Sequence, residues 1–178
     1  MIKLKIELVP STLWGMNLRS LLTRGEWDKL RRWSYGKADN RCEICNASGL
    51  EQNRRHAVEC HERWEYDDIN RIQKLVGVIS LCPRCHQVKH FGRALSVGAG
   101  RYAIQHLRDI NDWSVEKAQQ YVEVEFRLHT LRSVGPAWRL DLRWLAGGES
   151  PLSVETAGRA SGKAVSAGVS IVFDDEEE

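Results

Sequence analysis

Two C-x-x-C pairs, Cys42 with Cys45 and Cys82 with Cys85, constrain this chain more than any other feature. Matched pairs of this kind read as a metal site before they read as disulfides in a reducing compartment. Each pair can turn two thiolates toward one ion, and four thiolates close a tetrahedral structural zinc. Any fold of the chain then has to carry residues 42–45 to residues 82–85. The fifth cysteine, Cys60, stands alone between Glu59 and His61.

The second pair lies in "LCPRCHQVKH", Leu81 to His90, which adds two histidines. A finger with two cysteine and two histidine ligands would leave Cys82 and Cys85 unused. It would also need far more than the roughly 12–15 residues usual between its ligand pairs. A helix resolves the crowding. "LVGVISL" (Leu75 to Leu81) is rich in strand-forming residues, and Pro83 suits the first turn of a helix that follows it. On that helix the neighbours Cys85 and His86 point about 100° apart. His90, four residues after His86, shares its face. The geometry therefore predicts two metals: one on the four cysteines, and a second on His86 and His90. The stretch "HAVECHE" (His56 to Glu62) reads as a strand start with Val58 and Cys60 on one face. A turn-like "ERWEYDDINRIQ" joins it to strand 75–81 as an antiparallel hairpin, and the hairpin runs into the helix.

The order C-x-x-C, "VECHE", "LCPRCHQVKH" resembles the zinc-containing HNH endonucleases over residues 42–97. The resemblance implies a ββα-metal core and a metal-dependent hydrolysis of DNA phosphodiesters, with double-stranded DNA as partner. It implies that His61 is the general base and that His86 and His90 hold the catalytic metal. Cys60 falls where that family carries an Asp or His ligand. Zn²⁺ would be structural, and a second divalent ion (Mg²⁺, Mn²⁺, Ni²⁺ or Zn²⁺) catalytic. Two positions depart from the pattern. A thiolate at Cys60 suits a soft ion better than magnesium, unless Glu59 or Glu62 supplies the oxygen. Gly77 stands where the family carries an asparagine that braces the base, and Asn70 is the nearest replacement. These departures keep a second reading open: a degenerate HNH zinc module that binds nucleic acid or a protein partner without cutting. Lys89 and Arg93, one turn apart on the helix, are the expected contacts to the DNA backbone. His56, His106 and His129 read as structural or surface residues.

The rest of the chain reads as α+β. "IKLKIEL" (Ile2 to Leu8) and "WRLDLRW" (Trp138 to Trp144) alternate as strands and are expected to pair, closing the domain from its two ends. Helices are expected over Gly25 to Lys37, after Gly98 and Gly100, and from an N-cap at Ser114 to about Arg132. In the last, Val115, Ala118, Val122 and Phe126 form a buried stripe. A single domain then spans residues 1–145, with helical residues 98–133 and a closing strand at 138–145. Residues 146–178 read as a flexible acidic tail. They hold two basic residues and seven acidic ones, a net of −5, which leaves +7 on residues 1–145 of a chain whose total is +2. A basic body suits an anionic partner such as nucleic acid. No apolar run nears the roughly 20 residues of a membrane span. The charged, alternating N-terminus is unlike a signal peptide, so a cytoplasmic location is expected.

Overall fold

The computed structural model describes residues 2–172; the tail's "DDEEE" end lies outside the described residues. The architecture is mixed α+β. Helices α1 (Leu18–Leu21) and α2 (Arg24–Lys37) precede strands β1 (Glu59–Asp67) and β2 (Ile72–Leu81). Helices α3 (Pro83–Lys89), α4 (Phe91–Ser96), α5 (Gly100–Asn111) and α6 (Val115–Ser133) follow, then β3 (Arg139–Asp141) and α7 (Val154–Ser166). The sheet order is β1-β2-β3.

The β1–β2 connection is shorter than the expected "ERWEYDDINRIQ" loop, because most of that segment extends the strands. Only Asp68 to Arg71 turn. The Asp67 carboxylate closes the turn, accepting from the backbone N–H groups of Ile69 and Asn70 at 3.0 and 2.9 Å. Asn70 spends its side chain on the same carboxylate, at 2.7 Å. A connection this short between hydrogen-bonded neighbours requires an antiparallel pair. Gly77 lies within β2 at a φ of +151°. A side chain there would be strained, which is a local reason for glycine where the resemblance calls for asparagine.

The chain divides into two compact units. The first comprises Met1–Val9, Tyr35–His61 and Ser80–Val134. Its core includes Leu4, Ile6, Leu81, Val88, Phe91, Ala103, Leu107 and the four paired cysteines save Cys45. The alternation of Ile2 to Leu8 is real, with Leu4 and Ile6 buried, but the segment is not a strand. Helix side chains take the place of a strand partner. The backbone N–H groups of Lys3 and Leu4 donate to Asn111 Oδ1 at 2.8 and 3.1 Å, and that of Ile6 donates to the Tyr121 hydroxyl at 3.2 Å. The Glu7 N–H donates to the Lys89 carbonyl at 3.1 Å. Ser114 caps α6 as expected, its Oγ accepting from Lys117 N–H at 3.1 Å. The α6 stripe is only partly buried: Ala118 is enclosed, whereas Val115 is exposed.

The second unit comprises Pro10–Ser34, Glu62–Ile79 and Gly135–Glu178. The expected closing strand finds its partner here. β3 runs parallel to β2, pairing Ile72 with Arg139, Gln73 with Leu140 and Lys74 with Asp141. The terminal strand pair is therefore replaced by a β2–β3 pair. The tail also departs from expectation, since residues 154–166 form a helix. Ser153 caps α7 through Thr156 N–H at 3.3 Å, and Ala157, Ala160 and Ala164 bury one face of it. The Thr156 hydroxyl donates to Glu26 Oε1 at 3.1 Å, and Arg159 pairs with the same carboxylate.

Candidate metal centres

Both centres described below lie wholly within the first unit. The first knuckle is a tight turn in which Asn46 N–H donates to the Cys42 carbonyl at 2.8 Å and Cys42 N–H donates to Ala47 at 3.1 Å. Asn46 takes a left-handed φ of 60°, which asparagine tolerates better than most side chains. Glu43 ties this knuckle to the end of β2. Its N–H donates to the Ser80 carbonyl at 3.0 Å, and its Oε2 accepts from Ser80 N–H at 2.6 Å. The second knuckle is the start of α3, with Pro83 in its first turn and His86 N–H donating to the Cys82 carbonyl at 2.9 Å.

Together the two turns bring the sulfurs of Cys42, Cys45, Cys82 and Cys85 within 4.8 Å of one another. Cys45 Sγ lies 3.6 Å from both Cys82 Sγ and Cys85 Sγ. A tetrahedral zinc with Zn–S bonds of about 2.3 Å needs sulfurs about 3.8 Å apart, so the cluster can hold a metal ion such as zinc. None of the cysteines is in a disulfide. Their mutual hydrogen bonds hold Cys82 below the usual thiol range and push Cys85 above it. Four packed sulfurs cannot all carry charge unless a cation joins them. His106, on α5, lies behind the cluster with its Nε2 3.2 Å from Cys85 Sγ.

The second centre gathers His61, His86 and His90, whose ring nitrogens also lie within 4.8 Å and could share one ion. His86 and His90 meet through their Nε2 atoms at 3.2 Å, near the separation of about 3.3 Å set by a tetrahedral ion with bonds of about 2.0 Å. Their i, i+4 spacing stacks them on one face, and a break at His90 (φ −91°, ψ 49°) separates α3 from α4. His61 comes from β1 and is only 3% exposed. Neither of its ring nitrogens makes a hydrogen bond. Its Nδ1 has no partner and its Nε2 has only a carboxylate at 3.5 Å, which is costly for a buried ring, and a ligand or ion among the imidazoles would satisfy one of them.

Carboxylates stand behind two of the three rings. Glu59 Oε2 pairs with His86 Nδ1, which leaves Nε2 for the cluster. Its other oxygen, Oε1, lies 2.6 Å from His56 Nε2. The bond to His86 outweighs burial and holds the Glu59 carboxyl down at about 2. Glu7 Oε1 lies 3.5 Å from His61 Nε2, and Glu7 Oε2 accepts from Lys89 Nζ at 3.2 Å. Burial would raise the Glu7 carboxyl, but His61 and Lys89 together hold it below its usual range. Loss of solvation, then repulsion from His61 and His86, lowers His90 to about 4, so its ring is neutral and able to ligate near pH 7.

The alternation of β1 sorts the expected residues. Glu59 and His61 share the face toward the imidazoles, and Cys60 is not among the converging groups. The Cys60 backbone N–H contacts the Tyr35 hydroxyl at 3.3 Å. Glu62, the other oxygen donor considered, accepts from Leu18 N–H at 2.9 Å within the second unit. Lys89 is not a free surface cation, since its side chain is 13% exposed and bound to Glu7. Arg93 is exposed and lines a cleft with Arg54, His56, Glu59, His86 and His90. Sequence reasoning missed Glu7, His56 and His106. The contacts of Glu7 and His106 join residues distant in sequence, whereas the i, i+3 pair His56–Glu59 was the local signal available.

Comparison with known families, curated proteins and solved structures finds no match. No helix among the described residues is long and apolar enough to cross a membrane.

Proposed function

We propose that the chain is a metal-dependent endonuclease of the HNH type, its β1–β2–α3 segment serving as a ββα-metal core. The convergence of His61, His86 and His90 beside an open cleft carries this reading. His86 and His90, whose Nε2 atoms lie 3.2 Å apart, would hold a divalent ion. An ion held there would offset charge on a phosphodiester as its P–O bond breaks. His61, with Glu7 Oε1 3.5 Å from its Nε2, is the general base of this reading, as the resemblance implies. Glu59 fixes the tautomer and orientation of His86, as carboxylates behind ligating histidines commonly do. Arg54 and Arg93, on the cleft, bind the DNA backbone without reading its sequence. The four-cysteine zinc holds α3 at the angle that this arrangement needs.

The test is supercoiled-plasmid nicking across Mg²⁺, Mn²⁺, Ni²⁺ and Zn²⁺, with His86→Ala beside the wild type. Cutting by the wild type, with a loss of roughly a hundredfold or more in the variant, is expected. Gly77, at the family's asparagine position, specifically favours the second reading, a module that binds DNA without cutting. Retarded migration of a duplex with no nicking in any metal would select it.

A further inference from the structure

The segment Ile2 to Leu8 lies outside the residues that the HNH resemblance covers, yet it brings a carboxylate to the histidine centre. We propose that Glu7 is the positioning residue of the base, its carboxylate holding the His61 ring at Nε2. This rests on the hydrolytic reading above and adds a residue that lies outside the motif.

Three observations meet at Glu7. The first is its reach. Glu7 Oε1 lies 3.5 Å from His61 Nε2, and the two side chains are 11% and 4% exposed, so solvent ions screen the pair little. The contact is longer than a formed hydrogen bond, as catalytic pairs commonly are before substrate binds. The second is its anchorage. The Glu7 N–H donates to the Lys89 carbonyl at 3.1 Å, and Glu7 Oε2 accepts from Lys89 Nζ at 3.2 Å. The N–H groups of Lys3, Leu4 and Ile6 donate to Asn111 and Tyr121, and Leu4 and Ile6 are buried. The segment that carries the carboxylate is therefore fixed from both sides of its backbone and from its side chains. The third is the lack of another holder. His61 Nδ1 has no hydrogen-bond partner. Gly77 has no side chain to brace the ring, and Asn70 commits its amide to Asp67 at 2.7 Å.

The His61 ring stands edge-on to both ligand rings, with centroids 5.3 Å from His86 and 4.8 Å from His90. A base in that place has to keep one nitrogen bare. Glu7 stands between a lysine and an imidazole, and an ionised carboxylate only accepts. It therefore keeps the hydrogen of a neutral His61 on Nε2 and leaves Nδ1 bare. In the step, a water O–H bond breaks and its proton goes to His61. The water oxygen forms a bond to phosphorus. The bond from phosphorus to the leaving sugar oxygen breaks, and that oxygen takes a proton from solvent. Nothing is oxidised or reduced. Glu7 offsets the charge that His61 gains, and the Lys89 ammonium keeps Glu7 from taking the proton itself.

The experiment uses the full metal-loaded chain and compares plasmid nicking by wild type and Glu7→Gln, which keeps the shape and loses the charge. Bound metal is counted and duplex affinity measured by anisotropy. The proposal expects kcat to fall by about tenfold or more, with KM, metal content and affinity unchanged. A residue that only fastens the N-terminal segment would move metal content or affinity along with the rate. Nitrogen NMR of the Zn²⁺-loaded wild type, recorded at about pH 8 where imidazoles are ordinarily neutral, needs neither cutting nor a folded variant. It should place the His61 hydrogen on Nε2, and it decides alone if Glu7→Gln does not fold. A hydrogen on Nδ1 overturns the proposal. So does a kcat within threefold of wild type, or a fall that accompanies metal loss. If the wild type cuts in no metal, the hydrolytic reading fails and leaves Glu7 no base to position. If the wild type cuts and Glu7→Gln cuts equally well, only the Glu7 assignment fails.

Discussion

The cysteine and histidine centres share one short helix and differ in almost everything else. Cys85 and His86 are neighbours on α3, about 100° apart around its axis, so a single turn of chain serves both. The cysteine centre has four donors and is mostly buried, with no position left over. The histidine centre has three donors from two elements and opens on a cleft lined by arginines. Behind the thiols stands an imidazole; behind the imidazoles stand carboxylates. A filled tetrahedron holds a fold together, whereas an incomplete shell leaves room for a substrate. On the proposed reading, stability belongs to one centre and chemistry to the other, and each half can be broken separately.

The largest effect is expected from Cys82→Ser. Structural zinc contributes roughly 10 kcal/mol or more to folds of this kind, which exceeds the stability of most small units. Loss of the helical circular dichroism of the first unit, with zinc absent from the purified protein, is the expected outcome. A variant that stays folded without zinc would erase the distinction between the centres.

Much of the cysteine centre was legible because its signal is local. A C-x-x-C turn, a strand ending at Leu81 and a proline at the start of a helix need no knowledge of the rest of the chain. The same holds for α2, α5 and α6, whose periodicity lies within single segments, as does the Ser114 cap of α6. The alternating Ile2 to Leu8 shows the limit. Its buried face was readable, but its hydrogen bonds go to Asn111 and Tyr121, and nothing in a period of two tells a strand partner from a helix side chain. The tail was misread for a different reason. Ala157, Ala160 and Ala164 keep helical spacing behind a Ser153 cap, yet alanine, glycine and serine also make a flexible composition. In the histidine centre, His86 and His90 followed from helix geometry. The side to which β1 turns His61 depends on strand register, which the resemblance alone did not fix.

A middle-sized effect tests whether the histidine centre is a built ligand shell. Glu59→Gln keeps the shape but removes the charge behind His86. Carboxylate partners of ligating histidines are typically worth 10–100-fold in metal affinity, or about 1.4–2.7 kcal/mol. Titration calorimetry with Zn²⁺ or Ni²⁺ should show that loss at the histidine centre, with the thermal midpoint nearly unchanged. Unaltered affinity would make Glu59 a surface residue and would leave the imidazoles without a designed second layer.

The smallest effect concerns His106, the counterpart of Glu59 at the other centre. Its Nε2 lies 3.2 Å from Cys85 Sγ, within reach of an N–H···S bond to a thiolate. Such a bond draws charge from the sulfur and makes it a poorer target for acid or a competing chelator. Because the four sulfurs hold the ion with or without it, removal should loosen zinc and not release it. The substitution His106→Phe keeps a ring and loses the donor; His106→Gln keeps a donor. Zinc transfer to a coloured chelator should run a few-fold faster for the phenylalanine variant, in line with about 1 kcal/mol for one hydrogen bond, and near the wild-type rate for the glutamine variant. If both variants release zinc equally fast, packing by the imidazole matters and its hydrogen bond does not. If neither differs from wild type, the cysteine centre depends on its four sulfurs alone, and the two centres differ even more than their outer partners suggest.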